Sequence, residues 1–109
     1  DPKTKLVTDM ASFYSLPSSV LGNDKHKTLF AAYQFWTVNT SVTLAQLTND
    51  VLSAAAKENF DVFNALDLME NAEIFEPLKF GIGDGLLQYY LFNYQCPQIQ
   101  AKEVGLILL

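Results

Sequence analysis

Phe60-Asp61-Val62-Phe63-Asn64-Ala65-Leu66-Asp67-Leu68-Met69 is the stretch that decides the fold. Apart from Asn64 and the two aspartates it is apolar on both faces of a period-two reading. That pattern predicts an interior strand, covered on both sides. Upstream, Thr43 is placed to cap a helix in which Leu44, Leu47, Val51, Leu52 and Ala55 recur at helical spacing, with Lys57 in the last turn and Asn59 near the exit. Leu29 to Val38 has the aromatic density of a strand, and Leu21-Gly22-Asn23-Asp24-Lys25 reads as a turn. Val7 to Leu16 suits a further strand, closed by Pro17, which cannot continue a ladder. Downstream, Asn71 is expected to cap a short helix through Glu73, Ile74 and Phe75, interrupted at Pro77. Leu86 to Tyr94 and Val104 to Leu109 are expected as the final strands, joined by a polar loop around Pro97. Tyr89, Tyr90, Phe92 and Tyr94 are then expected to pack the core and the sheet faces. This order of elements predicts an α/β (α+β) chain with a mixed sheet and flanking helices.

At 109 residues the chain allows one domain, spanning 1–109. Half of it is hydrophobic and only 17% is charged, below the quarter usual for soluble domains. So small a body cannot hide that much apolar surface, which leaves part of it for a partner or for an aromatic-rich core. Twelve acidic residues face seven lysines and no arginine, an unfavourable balance for nucleic-acid recognition. Cys96 is alone, which excludes an internal disulfide and fits a reducing compartment such as the cytoplasm. The single histidine, His26, lies in a polar stretch, so Cys96 reads as a structural thiol. Asn39-Thr40-Ser41 matches a glycosylation sequon that nothing else supports. No apolar run is long enough to span a membrane and no signal peptide opens the chain.

The glycines of Gly81-x-Gly83-x-Gly85 are followed by strand-like residues. A phosphate loop needs a helix N-terminus after them, so that reading is poor. Two readings remain: a tight connection that needs glycine for unusual backbone angles, or a place where a bound peptide backbone comes close, with Asp84 offering a charge. Asn64, an amide in an apolar strand, must find a hydrogen-bond partner. The chain ends on Val104-Gly105-Leu106-Ile107-Leu108-Leu109, and a terminal carboxylate among apolar side chains costs several kcal/mol unless it is paired or used. The abrupt beginning, Asp1-Pro2-Lys3-Thr4, suggests part of a longer protein.

Phe60 to Asn71, then Leu78-Lys79-Phe80-Gly81-Ile82-Gly83-Asp84-Gly85-Leu86-Leu87-Gln88-Tyr89-Tyr90-Leu91-Phe92-Asn93, and the ending Gly105 to Leu109 together resemble the C-terminal half of eukaryotic N-myristoyltransferases. Ser12-Phe13-Tyr14-Ser15-Leu16-Pro17-Ser18 and Ala31-Ala32-Tyr33 extend the resemblance from about Val7 to Leu109. The interruption at Pro77 departs from that family. The resemblance implies an acetyltransferase-like (GNAT-like) half of a pseudo-twofold, two-lobe enzyme. The activity implied is transfer of myristate from myristoyl-CoA to the N-terminal glycine of protein substrates.

By the same resemblance, Ser18, Tyr33, Asn64, Ala65, Asp84, Gly85, Leu87 and Leu108 bind the peptide, and the carboxylate of Leu109 is the general base. An α-amino group titrates near ~7.7–8.0 and an ordinary α-carboxyl near ~3.5, leaving an uphill proton transfer of roughly 6 kcal/mol. Burial raises the carboxyl value and desolvation lowers that of the ammonium, which narrows the gap. No cofactor and no metal is expected on this half. Myristoyl-CoA belongs to the absent N-terminal half, which is the expected partner besides glycine-starting peptides. Acetyltransferase-type CoA loops join a strand to a helix, and none is present here. An acyl-CoA N-acyltransferase of other specificity and a non-catalytic interaction module are the alternatives. Short-chain CoA use would mark the first, and tolerance of residues added after Leu109 the second.

Overall fold

A computed structural model describes residues 1–108. Its centre is a three-stranded sheet of β1 (Met10–Ser15), β4 (Ala31–Val38) and β5 (Val62–Asn64), in the order β1-β4-β5. β1 runs antiparallel to β4, and β5 runs parallel to it. A separate two-stranded ribbon pairs β2 (Ser18–Ser19) with β3 (Thr28–Leu29). The turn between β2 and β3 uses Gly22 at φ 73°, in the left-handed region that glycine enters freely.

Helix α1 (Leu44–Lys57) connects β4 to β5. Its start is set by Thr43, whose hydroxyl accepts from the Gln46 N–H at 3.2 Å. Its end is set by Asn59 in the left-handed region (φ 63°), followed by a Phe60 N–H that donates to the Ala55 carbonyl. The stripe Leu44, Leu47, Val51, Leu52 is half-buried, and Ala55 and Thr48 are buried. β5 is locked to β4 by Asp61, whose carboxylate accepts from the Phe30 N–H at 2.8 Å while its own N–H donates to the Phe30 carbonyl.

Cross-strand register gives the sheet two different faces. Phe13 opposes Gln34, and Ala32 opposes Phe63, so these share one side. There an edge-to-face series of rings runs from Phe60 to Phe13 (5.5 Å), Phe63 (5.8 Å) and Phe80 (6.5 Å), and Phe75 packs tilted against Phe80 at 5.6 Å. The other side carries Tyr14, Tyr33 and Asn64. Between Phe13 and Ala11 the register slips by one residue through a bulge in β4. Ser12 fills it, its hydroxyl donating to the Trp36 carbonyl and accepting from the Trp36 N–H.

Asp9 ties the start of β1 to the loop that precedes α1. Its carboxylate accepts from the Ser41 hydroxyl, the Thr8 hydroxyl and the N–H groups of Thr40, Ser41 and Val42. These bonds, led by that from the Ser41 side chain, hold the carboxyl well below the usual carboxylate range.

Several expectations from the sequence are corrected. Phe60 to Met69 is not an interior strand: only Val62–Asn64 pairs, at the sheet edge, and the chain turns away through a Leu68 N–H bonded to the Leu66 carbonyl and Met69 at φ 51°. Asn71 precedes α2 (Ala72–Phe75) but does not cap it; its amide donates to the Leu66 carbonyl at 2.8 Å. The first strand begins at Met10, not Val7. Leu86 to Tyr94 and the described part of Val104 to Leu109 form no strand, since no neighbouring strand offers them a ladder; between them lies a 3₁₀ turn, Ala101–Glu103. Tyr90, Phe92 and Tyr94 are exposed rather than packed, Phe92 to 91%. Cys96 is exposed as well, which a structural thiol would not be.

The consequence is an open molecule. A folded monomer of 12.2 kDa exposes about 6,100 Å², whereas this chain exposes 8847 Å². Its radius of gyration is 16.4 Å, against about 13 Å for a compact chain of this length. The class is α+β, with a small mixed sheet and few helices.

Candidate functional site

β5 stops at Asn64 while β4 continues to Val38, so the two parallel strands part immediately after the pair Tyr33–Asn64. A cavity of about 390 Å³ opens at that point. Tyr14, Tyr33 and Asn64 contribute one transverse row across all three strands, because Tyr14 opposes Tyr33 and Tyr33 opposes Asn64. Ala65 and Leu66 continue the wall. The segment after α2 supplies Gly83, Asp84, Gly85 and Leu87, and the C-terminal segment supplies Ile107 and Leu108.

The structure therefore brings together Tyr33, Asn64, Ala65, Asp84, Gly85, Leu87 and Leu108 from distant parts of the sequence. Ser18 does not join them; it is exposed on the β2–β3 ribbon, paired with Leu29. Leu109 lies outside the described residues. Tyr14, Gln34, Leu66 and Ile107 also line the cavity, and sequence reasoning did not select them. Tyr14 had no distinguishing signal of its own, since its place follows from the register between β1 and β4.

Two features shape what this cavity can hold. Among the described residues Asp84 is the only carboxylate lining it, and it is exposed, so it offers a solvated negative charge there. Asn64 is half-buried, and among the described residues its amide makes no hydrogen bond, leaving both donor and acceptor available. Gln34 lies on the phenylalanine side of the sheet. Its Nε2 donates to Thr37 Oγ1 at 3.1 Å, while its buried Oε1 has no partner among the described residues.

The glycines answer one of the open readings. Gly81, Gly83 and Gly85 do not adopt positive φ, and among the described residues a Cβ at any of them would meet nothing within 4 Å. A tight connection demanding glycine is thus ruled out. A wider groove of about 1620 Å³ continues from the cavity beneath residues 81–106, through Gly83, Gly85 and Leu87. Among the described residues no cluster of three or more metal-ligating side chains occurs, and no helix is long and apolar enough to cross a membrane.

The family described as myristoyl-CoA:protein N-myristoyltransferase, C-terminal domain, matches residues 1–107. The chain belongs to this family. It is 57% identical over 102 residues to a probable glycylpeptide N-tetradecanoyltransferase of Caenorhabditis elegans, covering 94% of this chain and 23% of that protein. The glycylpeptide N-tetradecanoyltransferase of Dictyostelium discoideum is 51% identical over 109 residues, all of this chain and 26% of that protein. Glycylpeptide N-tetradecanoyltransferase 2 of Danio rerio is 54% identical over 103 residues, 94% of this chain and 21% of its own length. The chain thus spans about a quarter of the length of the curated relatives it matches.

Proposed function

We propose that this chain is the peptide-binding half of an enzyme that transfers myristate from myristoyl-CoA to the N-terminal glycine of proteins. The observation that carries the reading is the gathering of Tyr33, Asn64, Ala65, Asp84, Gly85, Leu87 and Leu108 around one cavity. Asn64 offers an amide to a peptide backbone, and Asp84 a charge to a basic residue further along it. Among the described residues nothing requires glycine at Gly83 or Gly85, which fits a ligand backbone passing close to them.

In this reading the glycine amine attacks the thioester carbonyl, the C–S bond breaks, and CoA leaves as its thiol. The amine must first lose a proton, and the Leu109 carboxylate is the proposed acceptor. Myristoyl-CoA is held by a second, GNAT-like lobe related to this one by a pseudo-twofold axis. The roughly 2,700 Å² by which this chain exceeds the surface of a folded monomer supports such a lobe as partner. That area exceeds the ~800 Å² that one side of a standard interface buries. The setting proposed is cytoplasmic, in keeping with a lone, exposed cysteine.

The test compares the full-length protein with residues 1–109, each given myristoyl-CoA and an octapeptide starting with glycine. The full-length protein should release CoA and acylate the peptide, and residues 1–109 alone should bind no myristoyl-CoA at submicromolar concentration. A full-length protein that leaves the glycine peptide unmodified overturns the reading. Submicromolar binding by residues 1–109 overturns the division between the halves.

A further inference from the structure

Tyr14 is the one member of the cavity's transverse row that the resemblance left unassigned. It stands directly opposite Tyr33 in the antiparallel ladder, and the two rings stack at 5.4 Å between centroids with 13° between their planes. Phe35 packs edge-on to Tyr14 at 6.3 Å and 84°, fixing it from a second direction. All three rings therefore hold one another in a defined order: Phe35 against Tyr14, and Tyr14 against Tyr33. Tyr33 in turn neighbours Asn64 across the parallel pair. An exposed tyrosine ring samples several orientations, whereas a stacked one is restricted before any ligand arrives, and a ligand then loses less freedom on binding.

We propose that Tyr14 is a positioning residue of the peptide site, holding the Tyr33 ring in the orientation a bound peptide requires. This rests on the reading of the cavity as a peptide site. The contribution comes from the ring and not from the hydroxyl, because stacking is a property of the faces. Tyr14 takes no part in proton transfer or in thioester attack. Its loss therefore acts on peptide binding and leaves the chemical step alone.

Tyr14→Leu and Tyr14→Phe in the full-length protein test this, with kcat and the KM values for a glycine octapeptide and for myristoyl-CoA measured separately. Tyr14→Leu should raise the peptide KM by about three- to tenfold, the range expected for one aromatic pair. Its kcat and its KM for myristoyl-CoA should stay within twofold of the parent. Tyr14→Phe should restore the parent KM. Combining Tyr14→Leu with Tyr33→Leu should cost little more than Tyr33→Leu alone, since both remove the same arrangement. An unmoved peptide KM in Tyr14→Leu, additive losses in the double variant, or a Tyr14→Phe protein as impaired as Tyr14→Leu each overturns the inference. Should Tyr14→Leu not fold, Tyr14→Met takes its place with the same expected rise in peptide KM, an unmoved value overturning the inference. A raised KM in Tyr14→Phe refutes it in either case. A parent protein that acylates no glycine peptide removes the functional reading, and this inference with it. An active parent with an indifferent Tyr14 removes only the inference.

Discussion

Tyr33 and Asn64 are partners in the last pair of the parallel ladder between β4 and β5. They project to the same side of the sheet from adjacent strands, just where those strands part and the cavity opens. The pairing gives the site a phenol and an amide at a fixed lateral spacing, provided by main-chain hydrogen bonds rather than by side-chain packing.

Asn64→Leu should accordingly separate binding from stability. Asn64 is half-buried and its amide has no partner among the described residues, so the folded state loses no internal bond. A lost hydrogen bond to ligand, worth about 1 kcal/mol, raises the peptide KM of the full-length protein roughly fivefold. Steady-state kinetics alongside a urea titration check both halves, with the midpoint expected to stay in place.

Asp84→Asn should discriminate between ligands. Asp84 is exposed, so stability changes by less than about 0.5 kcal/mol. Peptides carrying a lysine downstream of the glycine should weaken more than neutral ones, and the difference should shrink as salt is raised. Equal loss for both peptide types would make Asp84 a loop residue only.

Gly85→Ala is the sharpest test of close approach. Among the described residues a methyl group there meets no atom within 4 Å, and the backbone angle is one that alanine accepts. Folding should be unaffected, while the peptide KM should rise by about tenfold or more if a ligand backbone passes over that position, as overpacking costs about 1–3 kcal/mol. An unchanged KM would place the peptide elsewhere in the groove.

Asp9 gives the fold an acid-sensitive clasp. Its carboxyl is held below its unfolded value by the Ser41 and Thr8 hydroxyls and the loop N–H groups. The unfolded chain therefore binds the proton more readily. The stability this provides is fully present above the unfolded carboxyl value of about 3.9 and is lost as pH falls towards the lower folded one. Urea titrations at pH 7 and pH 3 should show Asp9→Ala weakened at neutral pH and a smaller gap from the parent in acid.

The proposed role of the Leu109 carboxylate as acceptor of the amine proton has its own test: one added residue of extended chain displaces a carboxylate by about 3.3 Å, beyond direct proton transfer. In the full-length protein this should lower kcat by about 10²–10⁴-fold, the usual contribution of a general base. The deficit should narrow at high pH, where the glycine amine is already neutral. Leu109→Met, which keeps the carboxylate, should be nearly silent.

How much of this was legible beforehand depends on where each element finds its hydrogen bonds. α1 was readable because Thr43, the Leu44–Ala55 stripe and Asn59 each act within a few residues of themselves. β1 and β4 were readable from their composition, though not the bulge at Trp36 that sets their register. Phe60–Met69 looked like an interior strand because its residues are apolar, yet a strand needs neighbours on both edges, and β5 has one. Leu86–Tyr94 carries strand-like residues without any ladder for the same reason. At the cavity, the described residues named from family likeness converge except Ser18, whose position three residues beyond the end of β1 places it on a different ribbon; Leu109 lies outside the described residues. Tyr14 escaped notice because nothing local distinguishes it from a core aromatic.

The serine-filled bulge has a practical corollary. Trp36 is the only tryptophan in the chain. Its backbone is clasped by Ser12, and its ring packs edge-on to Phe35 at 5.8 Å. Tryptophan emission from residues 1–109 thus comes from one indole at one joint. When β1 peels from β4 the emission should shift, whatever the helix is doing at that moment. Far-ultraviolet ellipticity, which α1 dominates, then gives an independent channel. Two signals that part company during denaturation would mean that sheet and helix come undone in separate steps.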